Sequence, residues 1–133
     1  IDGREMAGAA ATRDMYLRDG QADTKLSQTG ALAPGVPGAL AAYAYAMKNF
    51  GKLQLADHLN AAAGVAEVGF KLDTVYARKL KGVADDLAKF PDSRRTFLKR
   101  DGSPYGEGDY LKLPDLAKSY RAMAKEGIRW FYD

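Results

Sequence analysis

Gly35-Val36-Pro37-Gly38-Ala39-Leu40-Ala41-Ala42-Tyr43-Ala44-Tyr45-Ala46-Met47-Lys48-Asn49-Phe50-Gly51 is the stretch that sets the fold class of this 133-residue chain. Leu40, Tyr43, Ala44 and Met47 stand at i, i+3, i+4 and i+7, a spacing that gathers side chains on one side of a helix. Pro37 suits a first helical turn, where its missing N–H is not needed, and Gly51 suits the end. Gly35 and Gly38 carry no Cβ and so allow another backbone or a helix to pack closely beside them.

The same period recurs outward from this stretch. A second helix is predicted from Leu55 to Val68, with Leu55, Leu59, Ala62, Ala63 and Ala66 on one stripe and Gly69 after its end. Asp73 can cap a third, whose face is Tyr76, Ala77, Leu80, Val83, Ala84 and Leu87, and Pro91 stops it. Pro114-Asp115 opens a fourth, carrying Leu116, Ala117, Tyr120, Met123 and Ala124 to Gly127, after which Trp130-Phe131-Tyr132 form an aromatic turn. Between the third and fourth, Thr96-Phe97-Leu98 reads as extended, Asp101-Gly102 as a turn and Leu111-Lys112-Leu113 as alternating, a pattern that allows a short hairpin. On the N-terminal side Asp19-Gly20 marks a turn, and residues 21–34 read as a polar loop. The chain is therefore expected to be mainly α, a single helical body over 1–133, with no repeat of fixed period.

Composition narrows the function. Twenty basic and 17 acidic residues are interspersed, for a net charge of +3, so no strong field draws a nucleic acid to the chain. The densest basic cluster, Arg94-Arg95 with Lys99-Arg100, lies among Asp92 and Asp101 and reads as a solvated face rather than a phosphate track. Absence of cysteine excludes disulfides, thiol catalysis and thiolate metal sites from this stretch. No apolar run reaches the length needed to span a bilayer, and none has the form of an export signal.

Catalytic groups are equally sparse. His58, the one histidine, falls on the second helix with Gln54 and Ala62 one turn away on either side, so neither a metal site nor an acid–base pair is expected, and Asp57 points elsewhere on the helix surface. Ser27, Thr29, Ser103 and Ser119 lack an activating base. Asp85 and Asp86 are consecutive on a helix and diverge in direction, so they do not share a proton. Tyr43, Tyr45, Tyr76, Tyr120 and the terminal aromatics read as packing residues. Gly35-Val36-Pro37-Gly38 lacks the lysine and hydroxyl of a P-loop. No cofactor is expected. The residue with most to offer is Arg4, whose permanently charged fork of donors can grip a small carboxylate through two parallel hydrogen bonds.

Arg4-Glu5-Met6-Ala7, Ala11-Thr12-Arg13-Asp14-Met15-Tyr16, Gly35-Val36-Pro37-Gly38, Phe50-Gly51-Lys52-Leu53, Gly69-Phe70, Gly106-Glu107-Gly108-Asp109, Pro114-Asp115-Leu116-Ala117 and Gly127 through Tyr132 together resemble, in order and approximate spacing, the large chain of the γ-glutamyltransferases (γ-glutamyltranspeptidases). The resemblance runs over essentially all 133 residues; one departure is Gly8, where the family usually has proline. It implies a fragment of the large chain, supplying a helical segment of the αββα sandwich of the N-terminal nucleophile hydrolases. These enzymes are made as precursors that cleave themselves, and the new N-terminal threonine of the small chain attacks the γ-glutamyl carbonyl of glutathione. The resemblance therefore implies no catalytic residue here. It implies the small chain as partner, a γ-glutamyl compound as substrate, a periplasmic or secreted location, and Arg4 as the residue that binds the substrate's α-carboxylate, with Glu5 supporting the loop. A helical layer cut from its sheet should expose an apolar patch and favour self-association. An acylase of the cephalosporin acylase type uses the same scaffold, and a non-catalytic helical interaction module is the reading outside the superfamily.

Overall fold

A computed structural model describes all 133 residues. They form seven helices and two small antiparallel sheets, arranged as two compact units, Ile1–Lys52 and Leu53–Asp133.

In the first unit residues 1–7 belong to no helix or strand, and Met6 pairs with Val36 as an isolated antiparallel bridge, its N–H donating to the Val36 carbonyl (3.1 Å) and its carbonyl accepting from the Val36 N–H (2.8 Å). Strands β1 (Leu17–Arg18) and β2 (Gln21–Ala22) close a hairpin over Asp19-Gly20. Both turn residues have positive φ, 53° and 77°, as a two-residue hairpin turn with right-handed strand twist requires. Helix α1 (Thr24–Gln28) follows, with the Asp23 carboxylate accepting from the Lys25 N–H at 2.9 Å. Residues 21–34 are thus a strand and a helical turn before they are a loop: the aspartate cap and the hairpin partner organise a stretch too polar to show periodicity. Helix α2 (Ala39–Phe50) starts two residues after Pro37, with Gly38 at the N-cap and Gly51 closing it. Leu40, Ala44 and Met47 are half-buried as expected, whereas Tyr43 is 62% exposed and no α2 residue is fully buried.

The second unit holds the buried core. Helix α3 (Leu55–Val68) begins with a capping box, Asp57 reaching back to the Gln54 N–H at 3.0 Å. Its buried face is Leu59, Ala63 and Ala66; Ala62, expected on this stripe, faces solvent. Helix α6 (Pro114–Glu126) lies against it, joining Ala117 to Ala63 and Ala66 in one cluster flanked by Leu113 and Tyr120. Alanine on both surfaces lets the helices approach closely. An ion pair between Arg121 and Glu67 (2.5 Å) spans the same two helices.

Gly69 turns the chain out of α3 at φ 96°, a conformation that L side chains rarely adopt, into β3 (Phe70–Lys71), which pairs with β4 (Tyr110–Leu111). The alternation at 111–113 is therefore met by a strand some forty residues earlier rather than by a local hairpin, and only the isolated bridge Leu98–Pro104 closes over Asp101-Gly102. Helix α4 (Thr74–Ala88) has Asp73 as its cap, accepting from the Tyr76 N–H at 2.7 Å. Pro91 ends nothing further: it is the first residue of α5 (Pro91–Phe97), so Thr96-Phe97 is helical where extended structure was expected. In a helix interior proline would lack the N–H and its ring would clash with the preceding turn, so α4 does not run on through it, whereas in a first turn its fixed φ and missing N–H are harmless. Leu72, Leu80 and Leu111 make the second buried cluster, with Phe70, Leu87, Phe97 and Tyr105 around it. The last turn, α7 (Arg129–Tyr132), keeps its aromatics partly exposed.

Candidate functional site

Arg4 stands in the N-terminal segment of the first unit, between the Asp2 carboxylate, which accepts from the Arg4 N–H at 2.9 Å, and the Met6–Val36 bridge. Its side chain is 80% exposed, and its one ion pair is with Glu5, Nη2 to Oε1 at 3.4 Å. A pair this exposed holds the guanidinium weakly, so the fork of donors stays available to a carboxylate arriving from outside.

The backbone beneath Arg4 is held more firmly than its side chain. A Cβ added to Gly38 would fall on the Arg4 carbonyl oxygen and lie 2.9 Å from the carbonyl oxygen of Gly3. One added to Gly35 would lie 2.9 Å from both the Met6 carbonyl oxygen and the Glu5 Cγ. A Cβ on Gly3 would meet the Ala42 Cβ at 2.8 Å. Gly35-Val36-Pro37-Gly38, read from sequence as a place for close packing, takes as its partner the Gly3–Met6 segment. No local signal points to that partner, because the two stretches lie some thirty residues apart.

Beside this segment is a hollow of about 410 Å³, lined by Glu5, Met6, Ala7, Met15, Tyr16 and Leu32 among others, and closed on one side by the Tyr16 hydroxyl donating to the Leu32 carbonyl at 3.0 Å. A Cβ added to Gly8 would meet nothing within 4 Å.

The other chemically suggestive residues are not brought together. His58 is exposed on α3, Asp57 is engaged in the capping box, and no group of three or more His, Cys, Asp or Glu could hold a metal ion. The hydroxyls of Ser27 and Ser119 donate to backbone carbonyls on their own helices, Thr24 and Asp115, and that of Ser103 to the Asp101 carboxylate at 2.7 Å within its turn. Ser27 lies in α1 rather than in a loop. Asp86 pairs with Lys89 at 2.6 Å, away from Asp85.

In the basic cluster of the second unit, Arg95 is paired with Asp92 and Asp115, and Lys99 with Asp109 at 2.7 Å. The Lys99 hydrogen bond and the Gly106 N–H hold the Asp109 carboxyl below its usual range, and Asp109 in turn raises Lys99. Ser103 lowers Asp101 through its hydroxyl and its N–H. These groups brace the connection from α5 to β4. No helix is long and apolar enough to cross a membrane.

A family model described as Gamma-glutamyltranspeptidase matches residues 1–133. The chain is 36% identical over 133 residues to the glutathione hydrolase proenzyme of Escherichia coli K12, covering 99% of this chain and 23% of that protein. It is 37% identical over 139 residues to the acylase ACY 1 proenzyme of Pseudomonas sp. strain V22, covering 99% of this chain and 25% of the relative. Among solved structures, the gamma-glutamyltranspeptidase of Helicobacter pylori superposes with a TM-score of 0.93 at 34% identity, over 99% of this chain and 38% of that one. The chain thus spans about a quarter of the length of the curated relatives it matches.

Proposed function

This chain belongs to the gamma-glutamyltranspeptidase family, and we propose that the full-length protein containing it hydrolyses glutathione and related γ-glutamyl compounds and transfers the γ-glutamyl group to water, amino acids or peptides. In this reading residues 1–133 are a helical part of the large chain. The small chain released from the same precursor supplies the nucleophile, an N-terminal threonine whose own α-amine serves as base. Its hydroxyl adds to the γ-carbonyl, the leaving amine departs with a proton, and the resulting γ-glutamyl ester is then opened by water or an acceptor amine, restoring the hydroxyl.

Arg4 is the residue of this chain that would touch the substrate. Its role is to bind the α-carboxylate of the γ-glutamyl group through two parallel N–H···O bonds, setting the distance between the γ-carbonyl and the nucleophile. The observation that carries this is the combination of a backbone fixed by close packing and a guanidinium 80% exposed, with one weak pair to Glu5. Glu5 would then serve the free enzyme by holding the fork near its working direction until the substrate carboxylate replaces it.

The test is Arg4→Ala in the full-length protein, assayed with γ-glutamyl-p-nitroanilide. Removing one partner of a desolvated charge pair costs about 2–5 kcal/mol, so kcat/KM should fall roughly thirty- to several-thousand-fold. An unchanged kcat/KM removes Arg4 from the site.

The 37% identity to an acylase gives a second reading, in which the acyl donor carries no α-carboxylate. A panel of γ-glutamyl donors beside acyl amides without that carboxylate separates the two: only in the first reading does Arg4→Ala discriminate between them.

A further inference from the structure

We propose that Gly3, Gly35 and Gly38 form a steric seat that positions Arg4, so that these glycines set donor affinity in the full-length enzyme although none of them carries a group able to touch the donor. The inference rests on the substrate-binding role given to Arg4 above and goes beyond it by naming what aims the guanidinium.

Three contacts converge on four consecutive residues. The Arg4 carbonyl oxygen occupies the place a Cβ on residue 38 would need, the Met6 carbonyl oxygen and Glu5 Cγ crowd that of residue 35, and the Ala42 methyl crowds that of residue 3. Separations below 3.0 Å are not found for real Cβ atoms, so any side chain at 35 or 38 must displace the Gly3–Met6 backbone. Gly38 has φ −98°, a value every residue adopts, so the demand for glycine here is one of space and not of backbone conformation. The Met6–Val36 bridge fixes the register of the segment, and α2 starts at Ala39, directly after the seat. The Arg4 side chain is 80% exposed and its ion pair is with Glu5 of the same segment, so its reach follows where that backbone is held. Gly8 serves as the control, since a Cβ there meets nothing within 4 Å.

The experiment uses the full-length protein matured into its two chains, with γ-glutamyl-p-nitroanilide as donor. Gly38→Ala and Gly35→Ala should raise KM about 10- to 100-fold, the scale of an ångström-sized misplacement, with kcat changed much less and with Gly8→Ala unaffected. In an Arg4→Ala background Gly38→Ala should add no more than about a two-fold further loss, because both changes act through one side chain. Should Gly38→Ala fail to mature, Gly3→Ala decides the matter. Its one close contact is the Ala42 methyl, so its raised KM should return to the wild-type value in the Gly3→Ala/Ala42→Gly double variant. Losses that multiply with Arg4→Ala, or a raised KM in Gly3→Ala that Ala42→Gly does not reverse, overturn the seat. An Arg4→Ala enzyme that is impaired beside glycine variants with normal KM overturns this inference alone, whereas an unimpaired Arg4→Ala enzyme overturns the role of Arg4 and the seat together.

Discussion

An arginine and a lysine at position 4 carry the same charge but differ in what they can hold. Lysine presents a single point of charge on a flexible stem, without the planar fork that matches a carboxylate. In the proposed site Arg4→Lys should therefore recover part of the binding lost in Arg4→Ala, with a KM between those of wild type and Arg4→Ala; equality with wild type would show that charge alone suffices. Elsewhere the residue scale is one of local bracing. The Asp109 carboxyl lies below its ordinary value of 3.8, first through the Lys99 hydrogen bond and then through the Gly106 N–H, and Lys99 lies above its ordinary 10.5. A lowered acid contributes stability that is present above 3.8 and lost as pH falls through its folded value, and a raised base contributes stability present below 10.5 and lost as pH rises through its folded value. The pair thus stabilises the fold between those limits. Asp109→Asn should lower Tm at neutral pH and converge with the parent in strong acid, which thermal melts across pH will show.

At the scale of elements, capping and close packing govern. Asp73 satisfies the Tyr76 N–H at the start of α4, and replacing such a cap with alanine costs about 1 kcal/mol; denaturant titration of Asp73→Ala should show that loss without a change in m-value. Between α3 and α6 the contact is built on Ala63 and Ala117, 0% and 1% exposed. Ala63→Leu should destabilise by about 1–3 kcal/mol through overpacking, read in the same titration. Element boundaries were legible where polar punctuation and apolar period agree: Leu55–Val68 was expected and observed with the same ends, Asp73 caps as expected, and α6 runs from Pro114 to just before Gly127. They were not legible in α1, α5 and the β1–β2 hairpin, all of seven residues or fewer, where too few side chains fall on one face to print a period.

At the scale of the molecule the decisive quantity is surface. The chain exposes 10163 Å², where a folded monomer of 14.4 kDa is expected to expose about 6,800 Å², and two separate units of these lengths about 8,200 Å². The excess of about 2,000 Å² on this one chain is more than twice the roughly 800 Å² that one partner contributes to a standard protein–protein interface. Exposed apolar side chains account for part of it: Tyr43, Tyr45 and Phe50 on or beside the α2 surface, Val65 and Val68 on α3, and the open groove of about 470 Å³ where Tyr76, Leu80, Val83, Leu87 and Phe97 meet. The 133-residue chain made alone should therefore bind a dye for apolar surface and sediment as associated species at micromolar concentration. A dye-silent monomer would favour the self-contained interaction module instead.

Sequence by itself determined the helical character, the caps Asp73, Gly51, Gly69 and Gly127, and the family, because a 3.6-residue period, a capping aspartate, a closing glycine and an ordered set of short motifs are all written along the chain. Tertiary structure alone decided which faces are covered: Ala62, Tyr43 and Val83 lie on expected stripes yet face solvent, because a stripe marks a surface fit for burial and only a neighbour buries it. It also decided that Gly35 and Gly38 pack against the Gly3–Met6 segment and that β4 pairs with β3. Contacts between distant stretches depend on how the chain closes on itself, and no local pattern encodes which partner arrives.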